Sequence, residues 1–208
     1  MVYILGEDQA SKSVVKRIFQ TYCAEEELNE SLPMRGGEFK NPLYLNKLNR
    51  LAETQHVFCL LDSDEIACPG DEISRTISSI NANLRLRYAV TEVESWLLSD
   101  ISGFASYYKI PIGKMPEVSQ RRAKREILVN YKPSLFLMHL IQQNSSNQEF
   151  VRIFTPINRS RKSPEYNSGI IPYILHAWNP EEARKNSSSL DRMIFRVEEH
   201  CRNVKQKV

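Results

Sequence analysis

Five carboxylates close three apolar stretches of this chain, and from that repetition chemistry can be argued. Glu7 follows residues 2–5, Asp62 and Asp64 follow residues 56–61, and Glu92 and Glu94 follow residues 84–90. Alternate side chains of an extended segment share a face, so Asp62 and Asp64 are expected to point one way while Ser63 turns aside. Carboxylates gathered this closely repel one another. A divalent cation relieves that repulsion, and magnesium takes oxygen ligands, keeps several waters and bridges to phosphate oxygens. Glu7, Asp62, Asp64, Glu92 and Glu94 are therefore the candidate metal ligands. Each acid alone reads equally well as a helix cap or a solvated loop charge; five at three strand ends point to a metal site.

Such a site requires that the three stretches be neighbouring strands of one open parallel sheet, whose carboxyl-end loops converge on a single crevice. Residues 56–61 (HVFCLL) form a continuous β-rich apolar run, the pattern of a strand buried on both faces. Residues 84–90 alternate Leu and Arg like a half-exposed strand, with Arg85 and Arg87 on the wetter face. Residues 2–5 give a first strand, followed by a helix with Val14, Val15, Ile18, Phe19 and Tyr22 inward and Asp8 or Ser11 as its cap. A short strand is expected over 32–35 before the Gly36-Gly37 turn, and a helix with Tyr44, Leu48 and Leu51 on one face. Another is expected with Ile73, Ile77 and Ile80 inward. Strands alternating with helices predict an α/β fold with a mostly parallel central sheet of about four strands and right-handed crossovers.

From Thr91 onward the pattern becomes helical and is punctuated by prolines, with no further large sheet expected. The last helix is signalled by Ser188 and Asp191 as a capping box and by the stripe Leu190, Met193, Ile194, Val197 and Val204. The predicted organisation is an α/β core over residues 1–105 and a mostly helical extension over 106–208 packed on it.

The chain has 208 residues, 41% hydrophobic and 25% charged, with seven glycines and ten prolines, which is ordinary globular composition. No apolar run approaches the roughly 20 residues that cross a bilayer, and the N-terminal stretch turns acidic at once, so a cytoplasmic protein without membrane contact is expected. Cys23, Cys59, Cys68 and Cys201 show no paired spacing and read as reduced, structural thiols. The four histidines lack zinc spacing. Net charge divides unevenly: residues 1–80 carry −5 and residues 81–208 carry +8. The basic half includes a candidate helix with Arg121, Arg122, Lys124 and Arg125, and a loop with Arg161 and Lys162. Both are solvated faces or phosphate-backbone contacts, which bind by counterion release and carry no sequence information.

The order of these acids resembles the Toprim fold of topoisomerases, primases, OLD-type nucleases and small bacterial Toprim-like proteins of unassigned function. In that superfamily a glutamate follows the first strand and a DxD follows a later one, matching Glu7 in ILGEDQASKSVVKRIF and Asp62/Asp64 in FCLLDSDE. Glu94-Ser95-Trp96-Leu97-Leu98-Ser99-Asp100 is similar to a segment carried by the small members, and the Arg35-Gly36-Gly37 turn and Lys124-Arg125 also fit. The likeness covers about residues 1–100; the chain departs from it in being glycine-poor around the first glutamate. The resemblance implies phosphodiester chemistry on DNA or RNA with Mg²⁺ (or Mn²⁺). Glu7, Asp62, Asp64 and Glu94 would be catalytic and Arg35 would join the nucleic-acid-binding residues. By the same analogy the chain would be a nuclease, an effector of a bacterial defence or toxin-like system. A second reading is a non-catalytic Toprim-like subunit serving an ATPase or helicase partner, since the chain has no P-loop of its own. A third, a DxD nucleotide-sugar transferase, is disfavoured by the acid directly after the first strand and by the short chain.

Overall fold

The computed structural model describes all residues except 33–40, 65–70, 72–76, 78, 122–123, 159–160 and 207–208. Strand β1 (Val2–Gly6) runs into helix α1 (Gln9–Tyr22), whose N-cap is Asp8. β2 (Leu28–Asn29), α2 (Pro42–Leu51), β3 (His56–Asp62) and β4 (Leu84–Ala89) follow. All strand pairs in this sheet are parallel, in the order β2-β1-β3-β4. The chain is thus α/β with a four-stranded parallel sheet flanked by helices, as the alternation of patterns predicts.

β3 is central and buried on both faces, which is why its sequence shows no polar alternation. Val57, Cys59 and Leu61 meet Leu45 and Leu48 of α2 on one side, while Phe58 and Leu60 join α1 and the later helices on the other. In β4, Leu84 and Leu86 enter the α2-side core and Arg85 and Arg87 take the opposite face. Gly6 lets α1 start directly over the end of β1: a Cβ there would collide with the backbone of Ser11 and Lys12. Gly6→Ala is therefore expected to cost about 2 kcal/mol, because backbone cannot step aside as a side chain can. Urea denaturation of the variant, with a lowered midpoint and an unchanged slope, checks this.

Beyond β4 come α3 (Val93–Ser99), α4 (Ile101–Tyr107), a hairpin of β5 (Val118–Arg121) and β6 (Lys124–Ile127), α5 (Pro133–Asn144) and α6 (Gln148–Ile153). The chain ends with α7 (Tyr166–His176), α8 (Pro180–Arg184) and α9 (Ser188–Lys205). These helices share one apolar core with the sheet: Val14 and Ile18 of α1 lie in the same cluster as Trp96, Ile170, Ile174, Ile194 and Val197.

Several expectations are corrected. Strand β2 is Leu28–Asn29; the strand expected over 32–35 falls on residues 33–35, which lie outside the described set, as do most residues of the helix expected around Ile73. Ile80 is exposed rather than inward, while Ile77 is buried. The basic segment expected as a helix is the β5–β6 hairpin, where Val118 pairs with Ile127 and Arg121 with Lys124. Its strands are too short for helical periodicity to be told from a charge run. Glu126 anchors the hairpin by accepting from the Ser187 and Ser189 hydroxyls and the Ser189 backbone N–H. Pro172 lies inside α7 instead of ending a helix. The cap of α9 is Ser187, not Ser188, and Cys23 and Cys201 are paired rather than reduced, fastening the end of α1 to α9. Among the described residues no helix is long and apolar enough to cross a membrane.

Candidate functional site

The carboxyl ends of β1, β3 and β4 are tied together by backbone and carboxylate hydrogen bonds. The Glu7 N–H donates to the Leu60 carbonyl at 3.0 Å, and the Glu7 Oε2 accepts from the Asp62 N–H at 3.2 Å. Asp62 Oδ1 accepts from the Val93 N–H at 2.8 Å, at the start of α3. Ser63 and Asp64 donate their N–H groups to the Ala89 and Thr91 carbonyls. Three strand ends thus meet at Asp62, as the sheet reading requires.

Asp62 and Asp64 do not continue one extended alternation. β3 ends at Asp62, Ser63 is buried, and Asp64 is exposed on a backbone with φ 45°. This left-handed turn, which aspartate tolerates better than most residues, sets the second carboxylate of the DxD at the rim. Glu92 occupies the N-cap position of α3 and is tied away from Asp62: its Oε2 accepts from the Ser134 N–H at 2.8 Å and its Oε1 pairs with Lys132 at 3.1 Å. Glu94, in the first turn of α3, is fully buried. Its Oε1 accepts from Tyr166 at 2.8 Å and pairs with the Lys162 ammonium at 2.9 Å, whereas its Oε2 has no hydrogen-bond partner among the described residues.

The electrostatics follow. Burial raises the Asp62 pKa well above the ordinary carboxylate value, and the charges of Glu94, Asp8, Glu92 and Glu7 push it further. For Lys162, burial works against the charge, but Glu94 and Asp8 outweigh it and hold the ammonium protonated beyond its ordinary range. About a third of the Lys162 side chain is exposed, yet its Nζ is turned inward, 4.7 Å from the Tyr166 ring centre and 3.5 Å from Asp8 Oδ2. Burial, then Glu94, likewise raises the Tyr166 phenol, so it stays a donor.

Lys162, which the sequence offers with Arg161 as a solvated face or a phosphate-backbone contact, is brought by the fold to the carboxylates. Asp8, read only as a helix cap, both caps α1 and faces Lys162. Tyr166, Lys132 and Ser134 were not anticipated, because they reach the site from helices with no acidic or metal-binding signature. Of the other predicted basic residues, Lys124, Arg125 and Arg161 are exposed, while Arg35 and Arg122 and the Arg121 side chain lie outside the described set.

Among the described residues no group of three or more His, Cys, Asp or Glu side chains stands close enough to share one ion. Magnesium does not demand such a cage, since it is usually held by one or two carboxylates with waters and substrate phosphates completing its shell. A half-buried aspartate in the field of four other carboxylates, with a Glu94 oxygen that has no hydrogen-bond partner among the described residues, fits that mode of binding. No protein-family model, curated protein or solved structure matches the chain.

Proposed function

We propose that this chain is a Mg²⁺-dependent phosphodiesterase of Toprim type that acts on nucleic acid. The observation that carries the reading is the meeting of the β1, β3 and β4 ends at Asp62, where Glu7 Oε2 accepts from the Asp62 N–H, Asp62 Oδ1 accepts from the Val93 N–H, and burial and then the nearby acids make this half-buried carboxyl hard to ionise. Asp62 would hold the ion with Glu7 or the rim carboxylate Asp64. When bound, the metal would orient a water and neutralise charge developing on the phosphate. The chain's own groups supply the rest. Glu7 is fixed against the Asp62 backbone, a placement that suits a ligand or a proton acceptor. The buried Glu94 and the half-exposed Asp8 hold the Lys162 ammonium beside the acids, where its charge can offset that of an incoming phosphate.

One observation favours the alternative of a binding subunit without turnover: Lys162 already bridges Asp8 and Glu94, so part of the acidic charge is neutralised without a metal. The two readings separate in one experiment. Purified protein is incubated with plasmid, single-stranded DNA and RNA in Mg²⁺, in Mn²⁺ and in chelator, and melting with and without Mn²⁺ is recorded alongside. Cleavage in metal and none in chelator is the expected result. No cleavage of any substrate, with no metal-induced rise in melting temperature, would leave the binding-subunit reading.

A further inference from the structure

The most unbalanced charge outside the carboxylate site lies on the opposite flank of β4. β4 is an edge strand, and α9 packs across its Arg85/Arg87 face. On α9, Leu190, Met193, Ile194 and Val197 turn into the core, which leaves Arg192, Phe195, Arg196, Glu199 and Arg202 along the outer face at helical spacing. Five guanidiniums (Arg85, Arg87, Arg192, Arg196 and Arg202) therefore gather on this flank, where Glu199 bonds Arg196 at 2.9 Å and approaches Arg85 at 3.9 Å and Glu126 lies near Arg192. Arg87 is partly buried near Glu199, and its Nη1 donates to the Leu86 carbonyl. Burial and the neighbouring Arg196, Arg85 and Arg192 bring its pKa down to about 10, a measure of how positive this face is.

The acids of this helix are largely engaged, Asp191 and Glu198 by Arg184 and Glu199 by Arg196, so the face keeps an excess of guanidinium, and it also carries an aromatic. Phe195 is 48% exposed, with the Arg196 and Arg202 guanidiniums 5.6 and 6.0 Å from its ring centre. Arg85 further forms part of the wall of a cleft of about 610 Å³, together with His56, Asn83 and Asn203. Guanidiniums interleaved with an exposed ring are the combination that holds a flexible polyanion by its phosphates and stacks its bases. The array also leads toward the acids: Arg87 lies two residues before Ala89, the register partner of Asp62, roughly 7 Å of strand rise away.

We propose that this α9–β4 face is a docking surface for single-stranded nucleic acid, with the guanidiniums taking successive phosphates and Phe195 stacking on a base. The inference rests on the phosphodiesterase reading, since it names the substrate class of that site, but it is tested by binding alone. A fluorescent single-stranded oligonucleotide is titrated in chelator, where no cleavage can occur, and anisotropy is followed across a salt series. Arg192→Ala with Arg202→Ala, both at exposed positions, should weaken binding and make the salt dependence shallower by about 0.7 per arginine. Phe195→Ala should weaken binding roughly tenfold with the salt slope unchanged. Wild-type affinity and slope in the double arginine variant, with its melting temperature retained, would overturn the proposal. So would equal binding of polyglutamate that is indifferent to Phe195→Ala, because the face would then fit an acidic protein. Tight oligonucleotide binding through these residues without cleavage in any metal would sustain the docking surface and remove only the hydrolytic reading.

Discussion

Asp62→Asn is expected to lose cleavage activity by about a thousandfold while making the protein harder to unfold. The loss follows if this carboxylate holds the metal, since metal stabilisation of a phosphoryl transition state is worth several kcal/mol and each 1.36 kcal/mol is tenfold in rate. The gain in stability follows from the same crowding. A carboxylate whose folded pKa is raised above its unfolded value of about 4 favours the folded state at low pH. That contribution is lost as pH rises through the raised folded pKa, where the half-buried group must either ionise among four other acids or hold its proton against solvent. Asparagine cannot ionise, and its Oδ1 can still accept from the Val93 N–H. In chelator the variant should therefore melt about 2–4 °C above wild type at pH 8, roughly 1 kcal/mol, and the gap should close toward pH 4. Magnesium should raise the melting temperature of wild type and leave the variant unmoved. Retained cleavage, or a variant less stable than wild type at pH 8, would remove Asp62 from the proposed metal site.

The parts of this site that were legible in the sequence are those written in local pattern. β3 announces itself because burial on both faces demands an unbroken apolar run, and the acid after it marks where the run leaves the core. β4 is legible because one face is the α2-side core and the other is not, which gives the Leu/Arg alternation its period of two. Three strands ending in acid then imply a shared crevice, and Glu7 and Asp62 do meet there through a hydrogen bond. What the pattern could not carry is anything set by contacts distant along the chain. β2 is a two-residue strand held by pairing with Val2 and Tyr3, and two residues have no periodicity to read. The α9 cap shifts to Ser187 because the Ser188 hydroxyl is taken by the Arg125 N–H of the hairpin while Ser187 binds Glu126. Cys23 and Cys201 meet only because α1 and α9 pack together, 178 residues apart in sequence.

The same logic explains why the partners of Lys162 could not be read from the sequence, and it sets up a large stability effect in the molecule's polar interior. In sequence Lys162 belongs to a short basic loop; in the fold it is the cation that lets Glu94 be buried, with Tyr166 as the second donor. Lys162→Met keeps most of the apolar stem but leaves Glu94 with one neutral donor, one oxygen without a hydrogen-bond partner among the described residues, and Asp62 and Asp8 nearby. Removing one member of a buried pair typically costs 3–5 kcal/mol. Because about a third of the Lys162 side chain is exposed, the low end, about 3 kcal/mol at pH 7, is expected in urea denaturation. Pairing Lys162→Met with Glu94→Gln should restore most of the stability, because no charge is then left buried and Tyr166 keeps its acceptor; the non-additivity of the cycle measures the coupling. A Lys162→Met protein as stable as wild type at pH 7 would show that Glu94 does not depend on this cation. If the double variant folds as well as wild type yet no longer cleaves, the Glu94–Lys162 pair is needed at the phosphate and not merely to hold the helix to the sheet.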